Sequence, residues 1–187
     1  AYVGVSAEES LGDLDQARVQ MALRRFPWRI FSICSSLLTG YILTFFEAQK
    51  ESAIIFASFV PLIMNTTGNV GTQTAMIITR SFALGANEFG QFRLPIMREF
   101  SVGLIMGLLA GALTYLLILL IHGDMIVAAR VGCTLIISMS SAALFGMFIP
   151  IGFKKIGIDP AIASGPLVTS FCDLLSVSLF LGIIILM

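Results

Sequence analysis

The chain has 187 residues, of which 57% are hydrophobic and 12% charged, with a mean hydropathy of +0.97 and a formal net charge of +0. A soluble domain carries about 25% charged residues and needs more polar surface than this to cover its core, so a soluble globular enzyme, a disordered chain and a fibrous chain are excluded. Eleven basic residues balance eleven acidic ones, which leaves no basic excess to read as nucleic-acid binding.

The first segment is polar. Around Ser6–Leu23, Glu8, Glu9, Asp13, Asp15 and Arg18 interleave with Val5, Leu11, Leu14, Val19 and Leu23. Ser6 and Glu9 have the S-x-x-E spacing of a capping box. Residues 1–26 are therefore read as a cytoplasmic amphipathic leader helix. It runs into the first membrane span at Pro27 and Trp28, with the indole at the interface. A polar leader this long is not a signal peptide. The chain starts at Ala1, not Met, and is expected to be a processed or truncated piece.

Residues 27–187 read as one membrane domain. Five stretches have about the 20 apolar residues a spanning helix needs: Arg29–Phe46, Ala53–Ile78, Phe100–Ile121, Ile126–Phe153 and Pro160–Met187. The second, fourth and fifth are long, which predicts tilt or a break. Arg18, Arg24, Arg25, Arg29, Arg80, Arg93, Arg98, Lys154 and Lys155 fall on one side, and only Lys50 and Arg130 on the other. That bias places the N-terminus in the cytoplasm and the C-terminus outside a multi-pass inner-membrane protein. The odd number of spans argues against two equal inverted halves.

Gly103, Gly107 and Gly111 repeat every four residues in the third span; small residues so spaced let helices approach closely in lipid. Gly165-Pro166 interrupts the fifth span. Cys34, Cys133 and Cys172 lie in apolar runs without CxxC spacing, so they read as small buried side chains and not as a disulfide or zinc site.

The second span holds Asn65-Thr66-Thr67-Gly68-Asn69-Val70-Gly71-Thr72-Gln73-Thr74. Asn65, Asn69, Thr72 and Gln73 share one helical stripe. Their amide and hydroxyl oxygens can hold the water shell of a cation; the plainer alternative is a hydrogen-bonded cluster that glues helices together. Asp173 is the one acidic residue expected deep in a span, with no Lys or Arg at its depth and with Thr169, Cys172 and Ser176 on its face. An intramembrane carboxylate is costly, so it is either protonated or neutralised by a mobile cation. A symmetric dimer would bring two such carboxylates to one divalent ion. No thiolate or imidazole cluster favours zinc, copper or nickel, and oxygen donors leave Mg²⁺, Ca²⁺ and Mn²⁺ open. His122, near the outer end of the third span, reads as a surface residue. Glu47, Glu51 and Asp124 form a solvated outer rim or concentrate cations at an entry, and Asp159 either caps the last helix or lines a cation exit.

Pro61-Leu62-Ile63-Met64 followed by GNVGTQT (68–74) and Arg80 resembles the MgtE family of magnesium channels and transporters. So do IDPAIASGPLVTSFCD (158–173) and RFPWR (25–29), the latter leading into a span that closes on Phe45-Phe46-Glu47. The resemblance covers nearly the whole chain from about residue 20. It implies an all-α membrane homodimer with five helices per subunit and a pore on the two-fold axis, lined by the second and fifth spans. It implies Mg²⁺ as the transported ion, held hydrated by Asp173 with the backbone carbonyl of Thr169 as companion. It also implies a cytosolic magnesium-sensing region upstream, which this sequence lacks; the chain is then an excised pore domain or a variant without that sensor. An ion-coupled carrier, driven by Na⁺ or protons with alternating access, is the alternative. A lipid-headgroup transferase needs clustered interfacial carboxylates that are not seen, and a mere scaffold does not need the polar second span.

Overall fold

Long runs of apolar residues, punctuated at their ends by glycine, proline and aspartate, fold here into helices. The computed structural model describes residues 18–47, 53–85, 93–163 and 165–186, and these are helical or in short connections. The helices are α1 (Arg18–Glu47), α2 (Ala53–Ala57), α3 (Val60–Ala83), α4 (Arg93–His122), α5 (Met125–Lys155), α6 (Pro160–Ala163) and α7 (Pro166–Leu186). Within α1, α4, α5 and α7 lie four stretches long and apolar enough to cross a membrane. The fifth expected span, 53–78, is two helices: α2 ends at Ala57 and α3 begins at Val60 with proline in its first turn. Its 24 residues give α3 the length to span, but the polar run 65–74 lowers its hydropathy.

The helix ends follow from local chemistry. The α4–α5 turn has two residues: Gly123 takes a φ of +67°, and Asp124 accepts hydrogen bonds from the amides of Ile126 (2.8 Å) and Val127 (3.1 Å). A left-handed glycine ends one helix and a carboxylate caps the next. The expected break at Gly165-Pro166 is present, separating α6 from α7. Pro27 sits inside α1, which runs without interruption from Arg18 into the first span. Residues 1–17 of the leader and the side chain of Trp28 lie outside the described residues.

Packing is organised by glycines. A Cβ on Gly103 would lie 2.7 Å from Ala143 Cβ and 2.9 Å from the Met139 carbonyl oxygen; one on Gly107 would lie 2.9 Å from Ile136 Cα, and one on Gly111 2.7 Å from the Gly132 carbonyl oxygen. The expected small-residue seam is therefore real, and it joins α4 to α5 antiparallel with backbones in near contact. The other side of α4 exposes Ile105, Leu109, Leu113, Leu116 and Leu120, a patch that water would not tolerate and lipid would. Ile63, Leu135, Val177 and Phe180, all 0% exposed, form the core between α3, α5 and α7. α1 lies against α7 through a 2.8 Å hydrogen bond between the Ser32 and Ser170 hydroxyls and a 3.0 Å bond donated by the Ser35 hydroxyl to the Ser170 carbonyl. Of the three cysteines, only Cys172 is buried. The expectation for Cys34 and Cys133 is corrected: they lie on the outer surface of the bundle, where lipid accepts a thiol as readily as a core does.

Candidate cation site

Asp173 is reached through two glycines. α3 and α7 run antiparallel, and a Cβ on Gly68 would stand 3.4 Å from Asp173 Oδ1 and 3.4 Å from Thr169 Cγ2. One turn on, a Cβ on Gly71 would stand 2.5 Å from Cys172 Sγ and 3.2 Å from Val168 Cγ1. The missing side chains let α3 lie directly beside the carboxyl. Gly71 is squeezed from its other side as well: its carbonyl oxygen lies where a side chain on Gly146 of α5 would begin. A side chain at Gly71 or Gly146 would move α3 away from its neighbours, whereas a methyl group on Gly68 would meet ordinary contact.

The Asp173 carboxyl is half-buried and makes no hydrogen bond or ion pair among the described residues. Asn65, Asn69 and Gln73 lie exposed on α3, with Thr72 half-buried beside them. The helical stripe therefore exists and faces outward from the subunit, whereas Ile63, Thr67, Val70, Gly71, Thr74, Ala75 and Ile78 face inward. Asn69 Nδ2 donates to Asn65 Oδ1 at 3.5 Å, the limit for such a bond. The Thr72 hydroxyl is occupied by the carbonyls of Gly68 (2.9 Å) and Asn69 (3.1 Å). Amides turned toward lipid would have no partner there.

The remaining expected site residues fall in three groups. The Thr169 backbone carbonyl lies one turn before Asp173, and its hydroxyl donates to Gly165 O at 3.2 Å. Ser176 is 0% exposed and donates to Asp173 O at 2.9 Å; it is turned into the core and not onto the stripe. Asp159 accepts from the Ala161 amide at 2.9 Å, the capping role. Asp124 likewise caps a helix, accepting from the Ile126 and Val127 amides. Glu51 and the side chain of Glu47 lie outside the described residues. His122 is exposed, its ring edge-on to Phe59 at 5.8 Å. No cluster of three or more His, Cys, Asp or Glu side chains that could hold a metal ion forms among the described residues.

One buried acid was missed. The third span was expected from Phe100, but α4 starts at Arg93 and its apolar stretch at Ile96, which brings Glu99 inside. Glu99 is only 8% exposed and accepts a 3.2 Å hydrogen bond from the Thr74 hydroxyl. Asp173 is therefore not the sole acid within these helices. Three further hydroxyls, Thr67 Oγ1, Thr79 Oγ1 and Ser138 Oγ, are buried without a hydrogen-bond partner among the described residues.

Residues 60–183 match the sequence model of a family described as divalent cation transporter, MgtE. Three curated proteins called magnesium transporter MgtE are similar over most of this chain. The Bacillus subtilis protein is 31% identical across 87% of the chain, that of Enterococcus faecalis 29% across 96%, and that of Thermus thermophilus 30% across 88%. The chain spans 36–39% of the length of these relatives.

Proposed function

The chain belongs to the MgtE family of divalent cation transporters, and from that premise we propose that it conducts Mg²⁺ through a pore shared by two copies, with Asp173 holding the hydrated ion. The observation that carries this is the Asp173 carboxyl, half-buried and unpaired beside Gly68, at the edge of an outward amide stripe. In this reading α3 is the fifth spanning element. A second copy covers the stripe of Asn65, Asn69 and Gln73 around a water-filled path. Two Asp173 carboxylates then balance one divalent ion, and the amides and the Thr169 carbonyl hold its water shell, which Mg²⁺ gives up reluctantly. Magnesium transport is what the relatives' names state; for this chain it is our reading, as are the homodimer and the cytoplasmic N-terminus.

The chain's own groups account for the steps. Asp173 lowers the cost of bringing a positive ion to membrane depth, and the stripe replaces lost hydration. The membrane potential drives a doubly charged ion inward by roughly 4.6 kcal/mol per 100 mV. Purified protein in vesicles loaded with a Mg²⁺ indicator tests it. The wild type admits Mg²⁺, and Asp173→Asn abolishes uptake while the cross-linked dimer persists. Unchanged uptake in that variant refutes the site. Uptake strictly coupled to Na⁺ or protons, without single-channel currents, replaces the pore by a carrier.

A further inference from the structure

The polar stripe is useful only if α3 keeps its rotation; Ile63, Val70 and Ile78 pack its inner face into the core, but its closest approaches to α5 and α7 are made at glycines. Gly68 and Gly71 meet α7, and Gly71 meets Gly146 of α5; glycine surfaces carry no side chains to interlock. From Val60 to Arg80 the hydroxyls of Thr66 and Thr72 bond carbonyls of α3 itself, Asn69 bonds Asn65, and those of Thr67 and Thr79 have no partner. Among the described residues of that stretch, Thr74 alone hydrogen-bonds another helix, through Glu99. Glu99 is firmly seated, because Gly103, one turn along α4, packs onto the backbone of α5. Thr74, 4% exposed, lies on the buried side of α3, away from the exposed Asn69 and Gln73, and Glu99 of α4 is 8% exposed.

We propose that Glu99, acting through Thr74, is a positioning residue for ion passage: the bond sets the rotation of α3 that keeps Gly68 beside Asp173 and Asn69 and Gln73 on the outward stripe. This rests on the conduction reading above, so the test has two readouts. The first needs no flux. Cys172 is 0% exposed and covered by Gly71 of α3, so its reaction with a maleimide, followed by mass spectrometry, reports α3 moving off α7. Wild type protects the thiol. Thr74→Val and Glu99→Ala each speed its labelling about tenfold, the population shift that losing one hydrogen bond of ordinary net strength produces. The double variant goes no further, and Thr74→Ser and Glu99→Gln, which keep a donor and an acceptor, stay protected. The second readout is Mg²⁺ uptake in vesicles, which falls in Thr74→Val and Glu99→Ala and is retained in Thr74→Ser and Glu99→Gln.

Two results overturn the proposal. Either Cys172 stays protected in Thr74→Val and Glu99→Ala, or Glu99→Gln is as impaired as Glu99→Ala, which would make the charge and not the bond the operative feature. If Glu99→Ala does not fold, the nearly isosteric Thr74→Val decides alone. A wild type that passes no Mg²⁺ sinks the conduction reading, and the labelling still decides the tether.

Discussion

Replacing Gly71 by alanine puts a methyl group 2.5 Å from Cys172 Sγ, 3.2 Å from Val168 Cγ1 and 3.5 Å from the Ala142 carbonyl oxygen. Ordinary contact begins at 3.4 Å, so the sulfur is too close by 0.9 Å and the valine methyl by 0.2 Å. Overpacking of this kind costs about 1–3 kcal/mol, against which alanine recovers about 0.8–1.0 kcal/mol of helix propensity. Gly71→Ala should therefore lose about 1 kcal/mol. Cys172→Ala alone empties a sulfur-sized space in a fully buried site and should lose about 1–2 kcal/mol. Combined, the new methyl faces the space the sulfur left, and the double variant should return to within about 0.5 kcal/mol of wild type, a coupling of about 2 kcal/mol. Unfolding of the detergent-solubilised protein by dodecyl sulfate measures all four proteins in one cycle. If the two losses simply add, Gly71 does not rest on Cys172 and the described approach of α3 to α7 is wrong.

Other substitutions follow from the same contacts. Gly103→Ala meets Ala143 Cβ and the rigid Met139 carbonyl at 2.7 and 2.9 Å, whereas Gly40→Ala meets nothing within 4 Å; thermal scans should show loss in the first and none in the second. Asp124→Ala removes the acceptor of two amide bonds and should cost about 1 kcal/mol, while Asp124→Asn keeps the cap, and Mg²⁺ uptake by that variant measures whether rim charge contributes. Ser32→Ala breaks the Ser170 contact between α1 and α7 and should cost about 0.6 kcal/mol by the same titration.

Much of this was readable from the residues. Hydropathy marks α1, α4, α5 and α7 because lipid rewards unbroken apolar runs, and the four-residue glycine repeat announces the α4–α5 seam. The amide stripe and Asp173 stand out because they break the apolar rule without a basic partner. Two features did not show. Glu99 lies beside Arg98 and Phe100 at a helix end, where an acid looks like part of a solvated collar, and its partner Thr74 is 25 positions away, beyond any periodic signal. Ser176 shares a side of α7 with Asp173, but Asp173 sits at the edge of the buried face and Ser176 well inside it; helical spacing fixes the angle between two residues, not which way the pair points. The interruption at Ser58-Phe59 falls in a span whose length already predicted tilt or a break, with Pro61 marking the place.

The polar character of α3 bears on how the chain is made. A translocating ribosome hands helices to lipid by their apolarity, and α3 is not among the stretches apolar enough to partition alone. It emerges before α5 and α7, whose Gly146, Val168 and Cys172 it lies against. If α3 spans as proposed, its stable insertion waits on later synthesis, and a nascent chain stopped before Met125 should leave α3 without a berth in the bilayer.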